Sequence, residues 1–241
     1  MIFVPRTFRM IRLGVVHMLL AAACCFTVFP FLWMAVSSLK TKAEVMAADA
    51  FLPSTPQYGN YLEIVFHSPI PRYLANSLLV AVSVAAIQVI CCSFFAYGVT
   101  FMRIRGRDML FRLVLFTYMV PTAVTYIPCY IILSRLGLLD SYQGLILSNG
   151  VSVLGIFLLR QAFEAVPMET MEAARMDGAG HFRILTGVVF PMTRPSFVTF
   201  ILLSFINTYN SYMWPSLITD TPELSLVSQG LRRFLYEGGA Y

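Results

Sequence analysis

Five long stretches of the chain carry no Asp, Glu, Lys or Arg, and polar or basic segments separate them. The stretches cover residues 13–39, 73–102, 113–134, 141–159 and 195–219. Each is longer than the roughly 18 apolar residues that indicate a membrane-spanning helix. A soluble core would not supply five such stretches in succession. The pattern therefore predicts an all-α, polytopic membrane helical bundle with five visible spans, forming a single transmembrane domain over residues 1–241.

Composition and charge support this class. The chain is 58% hydrophobic and 12% charged, whereas soluble domains carry about 25% charged residues. With the N-terminus inside, eleven of the 17 Lys and Arg residues fall on the cytoplasmic side, as the positive-inside rule requires. Anchoring to membrane lipid headgroups explains the net charge of +5, so no nucleic-acid partner is predicted. This orientation places the loop of residues 160–194 in the cytoplasm.

The first stretch also has one feature of a secretory signal peptide, because three arginines precede it. Its apolar core is longer than the roughly 7–15 residues of a signal peptide, and no clear cleavage site closes it. We interpret it as a retained anchor helix.

Catalytic chemistry has little support in the sequence. The apolar stretches hold no charged residue of the kind that proton relays and membrane enzymes use, and no zinc-protease, serine-hydrolase or P-loop motif is present. All five cysteines lie in the apolar stretches without zinc-ligand spacing. We therefore predict no catalytic residue, no metal and no cofactor, and we favour transport driven by a partner protein.

The loop before the last stretch contains the sequence EAARMDGAGHFRILTGVVFP, residues 172–191. Pro167 is suited to the first position of a helix, and Gly178 to the position just after its end. From Pro167 to Asp177 such a helix would be about 16 Å long, which is too short to span and too polar to bury. A second short helix would follow, with Pro191 breaking it. On these grounds alone, the segment could be an ordinary amphipathic loop.

A longer sequence pattern in this loop favours a specific function over an ordinary amphipathic loop. Residues 172–174 read Glu-Ala-Ala, Gly178 follows after three residues, and Val188, Phe190 and Pro191 come after nine more. This resembles the EAA motif, EAA-x3-G-x9-I-x-L-P, of permease subunits in binding-protein-dependent ABC importers. The segments SLKTKAE, NSLLVA, LLDSYQGLIL and FINTYNSYMWPSLI are similar to the carbohydrate-uptake branch of that family, of the maltose and glycerol-phosphate type.

The resemblance implies a type I permease fold in a bacterial-type inner membrane. It also implies four partners: a second permease subunit, a cytoplasmic ABC ATPase dimer that hydrolyses the ATP, an extracytoplasmic solute-binding protein and a carbohydrate or related polar solute. By the same resemblance, the residues expected to couple to the ATPase are Glu172, Ala173, Ala174, Asp177, Gly178 and Pro191.

Two alternatives stay open. The family has a sixth core helix after a segment like GLRRFLYEGGAY, where this sequence stops, and this motivates a non-transporting membrane scaffold derived from a permease. The second alternative is an ABC permease for another solute, such as a polyamine or phosphate.

Solute contacts are expected in the fifth stretch, because it has the densest set of neutral polar and aromatic side chains. The candidates are Asn207, Tyr209, Asn210, Tyr212 and Trp214. In a continuous helix the spacing would place Asn207, Asn210 and Trp214 on one face. Packing is the competing interpretation, because membrane asparagines often bond neighbouring helices.

Overall fold

A computed structural model describes residues 6–47 and 50–236, and every regular element in these ranges is helical. The predicted all-α fold is therefore confirmed. The chain divides into two compact units, Met1–Ser68 and Pro69–Tyr241. The first unit contains α1 (Arg6–Ser37), α2 (Lys42–Ala47) and α3 (Gly59–His67). The second contains α4 (Ile70–Phe101), α5 (Arg107–Thr117), α6 (Thr122–Arg135), α7 (Tyr142–Leu147), α8 (Val153–Glu164), α9 (Met168–Met176), α10 (His181–Ile184), a π-helical turn (Leu185–Val189), α11 (Phe190–Met192), α12 (Arg194–Tyr209), α13 (Met213–Ile218), a 3₁₀ turn (Pro222–Leu224) and α14 (Val227–Tyr236).

Helix α1 buries none of its side chains between Arg12 and Ser37. Its polar groups are satisfied within the helix: the Thr27 hydroxyl donates to the Ala23 carbonyl at 2.8 Å, and His17 Nδ1 lies 2.7 Å from the Leu13 carbonyl. A helix that is apolar on every side and internally hydrogen-bonded is suited to lipid or to another apolar helix.

The SLKTKAE segment forms the start of α2. The Thr41 N–H donates to Glu44 at 2.9 Å, and the Glu44 N–H donates to the Thr41 hydroxyl at 3.3 Å, so the two residues cap the helix reciprocally. Glu44 also accepts the Ser54 N–H at 3.0 Å. Because backbone donors at Thr41 and hydrogen bonds from Ser54 favour the carboxylate, the pKa of Glu44 falls to about 2.

The second unit is built around α4, which packs against α8 and α12. Small residues allow the close approach: Ala81, Ala85, Cys92 and Ala96 are all at most 5% exposed. Two apolar clusters lie along this bundle. One includes Tyr97, Phe163 and Met171, and we call this end of the bundle the loop end. The other includes Val80, Leu145 and Trp214, and we call the end of the bundle around it, residues 73–84, 138–148 and 212–230, the clamp end.

Helices α8 and α12 meet at Gly155. A Cβ atom there would lie 2.1 Å from Cζ of Phe200, and the Phe200 side chain is only 1% exposed. Glycine thus leaves the space that the ring occupies, and this contact fixes the distance between the two helices beside the cavity described below.

Three of the five apolar stretches are interrupted, where the sequence pattern predicted continuous helices. In the described residues, α1 and α4 are long and apolar enough to cross a membrane, or up to four spans result if each of two bent pairs counts as one. Between α5 and α6 the chain bends by 99° at residues 118–121, because Pro121 disfavours helical conformation in the residue before it. The stretch 141–159 is divided at residues 148–152, and the stretch 195–219 at residues 210–212.

Candidate functional site

The predicted coupling loop folds around α9. Pro167 is its N-cap, one residue before the helix, and Gly178 follows its C-cap with a φ of 78°. The Gly178 N–H donates to the Arg175 carbonyl, and the Ala179 N–H donates to the Ala174 carbonyl, both at 3.0 Å. This is a Schellman ending. A Cβ at position 178 would meet no atom within 4 Å, so the left-handed backbone, not the available space, favours glycine.

The two faces of α9 differ. Met171 is fully buried in the loop-end cluster, and Ala174 is half-buried against it. The opposite face is exposed and consists of Glu172, Ala173, Met176 and Asp177. Met176 is 88% exposed, an unusual position for a long apolar side chain next to two carboxylates. Of the two motif alanines, Ala173 therefore faces outward, whereas Ala174 packs on the chain itself.

The helix after α9 runs past the proline that was expected to break it. Pro191 lies within α11, and the chain stays helical to Met192. Pro191 is tolerated because the preceding turn is π-helical, with the Phe190 N–H donating to the Leu185 carbonyl. The break comes at the buried Thr193, where the chain bends by 88° into α12. The prediction that Pro191 breaks the helix is thus wrong by two residues.

A cavity of about 330 Å³ lies between α4, the interrupted stretch at residues 148–152 and α12. It is lined by neutral polar groups on apolar walls. The polar lining residues are Gln88, Thr122, Asn149, Ser152, Ser204, Asn207, Thr208 and Ser211. Non-helical backbone at membrane depth is tolerated where it lines a cavity, and this explains why the fourth apolar stretch is not one helix.

Gln88 holds the walls of this cavity together. Its Nε2 donates to the Asn149 carbonyl at 2.7 Å, and its Oε1 accepts the Ser204 hydroxyl at 2.8 Å. The side chain thus joins α4 to the 148–152 segment and to α12. The polar side chains that line the cavity are neutral amides and hydroxyls. Among the described residues, no three His, Cys, Asp or Glu side chains are grouped to hold a metal ion.

The candidate solute residues lie in different places, because α12 ends at Tyr209. Asn207 lines the cavity, whereas Asn210 is the exposed C-cap of α12. The expected common face of Asn207, Asn210 and Trp214 is therefore wrong for Trp214, which lies in the separate helix α13. Trp214 is buried, stacks on Tyr126 with ring centroids 5.3 Å apart and donates from Nε1 to the Ser148 hydroxyl at 2.9 Å.

The two tyrosines of the candidate set are half-buried. Tyr209 stacks on Phe205 with centroids 5.5 Å apart, and its carbonyl accepts the Ser228 hydroxyl at 3.4 Å. The Tyr212 ring lies 4.6 Å from the Arg232 guanidinium. Tyr212 faces a second cleft beside α14 and not the cavity.

Hydrogen bonds from motif residues connect the helices of the clamp end to one another. Asn76 of NSLLVA donates from Nδ2 to the Glu223 carbonyl at 2.8 Å and to the Ser225 carbonyl at 3.0 Å. The Tyr142 hydroxyl of LLDSYQG donates to Asn76 Oδ1 at 2.7 Å. Asn76 is 6% exposed. One buried amide therefore joins α4 and α7 to the segment before α14.

Asp140 makes a second connection at the clamp end. Its backbone N–H donates to the Ile218 carbonyl at 2.7 Å, and its carboxylate accepts the N–H groups of Asp220 and Thr221, each at 3.0 Å. The hydroxyl of Thr221 donates to the same carboxylate. These donors, the Thr221 hydroxyl first, hold the pKa of Asp140 below its ordinary value.

Gln88, Asn149 and Ser204 were not selected from the sequence. All three are neutral, and among neutral residues the sequence pattern pointed only to the cluster at residues 207–214. A signal was present, since Gln88 is an amide in the middle of a 30-residue uncharged stretch, residues 73–102. Polar groups at that depth are costly unless they have partners.

Comparisons with known proteins assign the chain to a family that the sequence motifs also indicated. Residues 88–239 match the family of the "Binding-protein-dependent transport system inner membrane component". The chain is 30% identical over 227 residues to the sn-glycerol-3-phosphate transport system permease protein UgpE of Brucella abortus (strain 2308), covering 91% of this chain and 80% of that protein. The corresponding protein of Agrobacterium fabrum is 29% identical over 229 residues, covering 92% and 81%.

A solved structure has a similar fold. One chain in the crystal structure of a bacterial ABC transporter involved in the import of the acidic polysaccharide alginate matches with a TM-score of 0.89 and 26% identity. The match covers 100% of this chain and 85% of that one.

The helical bundle, the polar cavity and the exposed loop helix define a membrane permease. The chain belongs to the family of binding-protein-dependent transport system inner membrane components, and it is a transmembrane permease subunit of an ABC importer. The resemblance seen in the sequence is thereby confirmed. The family consists of multi-pass inner membrane transport proteins and not of enzymes, and membership implies work with another permease, an ATPase and a binding protein.

Proposed function

We propose that this chain forms one half of the translocation pathway for a carbohydrate or a phosphorylated or acidic sugar derivative. The observation that carries the proposal is the polar cavity at Gln88. Its wall α12 is connected to the exposed coupling helix α9 through the helical residues 181–192 and a bend of 88° at Thr193. The names of the relatives, which concern glycerol phosphate and alginate, support this solute class.

Coupling would occur at the exposed face of α9. Glu172, Ala173 and Asp177 present two carboxylates around a small residue, and Met176 adds an apolar contact. Such a face fits a groove with basic residues on an ATPase subunit. Gly178 sets where the helix ends, and Ala174 places it against the bundle. Pro191 belongs to the helical segment that connects α9 to α12. We propose a cytoplasmic N-terminus, which puts this face on the ATPase side of the membrane.

Movement of α9 would reach the cavity through the following helix. At the bend, the buried Thr193 hydroxyl donates to the Val189 carbonyl of the preceding helix at 2.7 Å, and the Thr193 carbonyl accepts the Ser196 N–H of α12 at 3.0 Å. A rotation of α9 would therefore turn α12 as a lever, and α12 carries Ser204 and Asn207 on the cavity wall. Opening that wall alternately to each side is what alternating access requires.

Solute contact would use neutral hydrogen bonds. Amide and hydroxyl groups of the cavity can replace the water around sugar hydroxyls without a buried charge. We assign direct contact to Asn207. We propose that Tyr209, Asn210, Tyr212 and Trp214 shape the path beyond the cavity toward the clamp end.

The coupling experiment reconstitutes the permease pair with its ATPase dimer and solute-binding protein in proteoliposomes. Glu172→Lys should weaken ATPase association by at least about tenfold, because a reversed charge opposes a basic groove. Glu63→Lys, an equal change at an exposed position of α3, is the control. Wild-type uptake by both Glu172→Lys and Gly178→Leu would exclude the coupling role. Intact assembly without any solute-stimulated ATP hydrolysis would instead favour a scaffold.

The solute experiment compares Asn207→Ala with Asn210→Ala across sugars, sugar phosphates, uronic acids, a polyamine and inorganic phosphate. Loss of one hydrogen bond should raise the transport KM of Asn207→Ala about 2–10-fold. A smaller change is expected for Asn210→Ala, which lies outside the cavity lining. Unchanged transport by both variants would leave packing as their role. Uptake of the polyamine or phosphate alone would exclude the proposed solute class.

A further inference from the structure

The loop end contains one polar contact between the long helix α4 and the helix that follows α9. The Tyr97 hydroxyl of α4 is hydrogen-bonded to Nδ1 of His181, at the start of α10, with a distance of 3.0 Å. The two rings are also edge to face, with centroids 5.8 Å apart. Tyr97 lies outside the EAA motif and His181 occupies one of its unspecified positions, so nothing in the coupling argument above uses this pair.

The surroundings of Tyr97 make this contact directional. Its side chain is only 3% exposed, and its ring packs on Phe101 with centroids 5.3 Å apart, so burial holds the ring in place. His181 is exposed. A fixed hydroxyl on α4 is therefore bonded to an exposed ring at the start of α10, the second helix of the coupling loop.

A second ring contact lies one helical turn away. Phe94 of α4 stacks on Phe182 of α10 with centroids 6.4 Å apart. Positions 94 and 97 lie on one side of α4, and 181 and 182 are consecutive residues of α10. The pair of contacts thus forms a seam along which α4 and α10 meet.

We propose that Tyr97 is a positioning residue that ties the coupling loop to α4, so that loop movement reaches both walls of the cavity. The proposal rests on the proposed coupling function. Thr193 carries the movement into α12, and Tyr97 carries it into α4. Gln88 lies nine residues before Tyr97 on α4, about 14 Å along the helix axis, and it bonds Ser204 of α12 at 2.8 Å. With the connections at Thr193 and Tyr97 both intact, α4 and α12 move together when the coupling loop moves.

The test uses the complete reconstituted importer and measures solute uptake per ATP hydrolysed. Tyr97→Phe removes the hydroxyl and keeps the buried ring, and we expect uptake per ATP to fall about 3–10-fold with unchanged subunit assembly. His181→Leu should give a similar loss, whereas His181→Asn, which can place a polar atom near the position of Nδ1, should restore part of it. Tyr58→Phe, at an exposed position, is the matched control.

The double variant distinguishes a shared contact from two separate defects. If Tyr97 and His181 act through one bond, Tyr97→Phe with His181→Leu should be no worse than either change alone. Normal uptake per ATP by Tyr97→Phe, beside lost ATPase association in Glu172→Lys, would overturn the positioning role and leave the proposed function standing. Normal coupling by Glu172→Lys and Gly178→Leu would overturn both. If Tyr97→Phe does not accumulate in the membrane, the two variants at the exposed His181 test the proposal instead. Equal, normal uptake per ATP by His181→Leu and His181→Asn would overturn it.

Discussion

The two ends of the bundle use their motif residues in opposite ways. At the loop end, Glu172, Ala173 and Asp177 point away from the chain, and apolar packing of Met171 holds the helix beneath them. At the clamp end, Asn76 and Tyr142 point inward and bond to each other and to backbone carbonyls. These motif residues at the loop end are thus available to bind a partner protein, whereas those at the clamp end stabilise the fold of the subunit itself.

This difference matters for interpreting variants. A defect from the exposed loop face should appear in assembly and coupling while the subunit keeps its stability. A defect from the clamp end should appear first as loss of the folded subunit. Each prediction below tests one side of this contrast.

The largest effect is expected from comparing two motif glycines. A Cβ at Gly144 would lie 2.0 Å from the Leu138 carbonyl oxygen, whereas a Cβ at Gly178 would meet no atom within 4 Å. Gly144→Ala should therefore prevent accumulation of folded protein, because the backbone at Leu138 or at position 144 would have to move to make room for the methyl group. Gly178→Ala should cost only about 1–2 kcal/mol for its left-handed conformation. Thermal unfolding in detergent checks both, and equal stability of the two variants would contradict the steric argument.

A second comparison uses two methionines on opposite faces of α9. Met171 is fully buried and Met176 is 88% exposed. Met171→Ala should lower the free energy of unfolding by about 2–5 kcal/mol, because it leaves a cavity in the core. Met176→Ala should leave stability unchanged and weaken ATPase binding. Denaturation and pull-down of the ATPase measure the two effects separately, and a reversed result would mean that α9 docks through its other face.

At the clamp end, Asn76→Ala should destabilise the subunit by about 1–3 kcal/mol, because the Tyr142 hydroxyl and two backbone carbonyls lose a buried partner. The matched control is Asn210→Ala, since the Asn210 side chain is exposed. Thermal unfolding distinguishes them. Loss of solute transport by Asn76→Ala at unchanged stability would show that this end also handles solute.

The smallest effect concerns pH. The folded-state pKa of Asp140 lies below its ordinary value, so its contribution to stability is present above about pH 4 and is lost as the pH falls through the lowered value. The carboxylate is near the surface, so solvent screens the effect. We expect Asp140→Asn to be slightly less stable than wild type at pH 6, with the difference shrinking at pH 3. If the difference in stability between the two proteins is the same at pH 6 and pH 3, the charge of Asp140 does not contribute to stability.

Much of the molecule could be predicted from its sequence, since the relevant signals are local. Uncharged stretches identify apolar helices, and the spacing from Glu172 to Gly178 identifies a short helix with a glycine ending. The cavity could not be predicted in this way. Gln88, Asn149 and Ser204 are far apart along the chain, and each alone is an ordinary polar residue in an apolar stretch.

By itself, the sequence determined the all-helical class, the family motif and the limits of α9, because periodicity, charge exclusion and capping depend on neighbouring residues. Only the tertiary structure decided where the fourth and fifth apolar stretches break and which polar side chains meet. The stretch 195–219 is uncharged throughout, yet its helix stops at Tyr209, and the Trp214 indole donates a hydrogen bond to Ser148 of another segment. Long-range partners of this kind compensate for lost helical hydrogen bonds, and no local pattern encodes which partners become available.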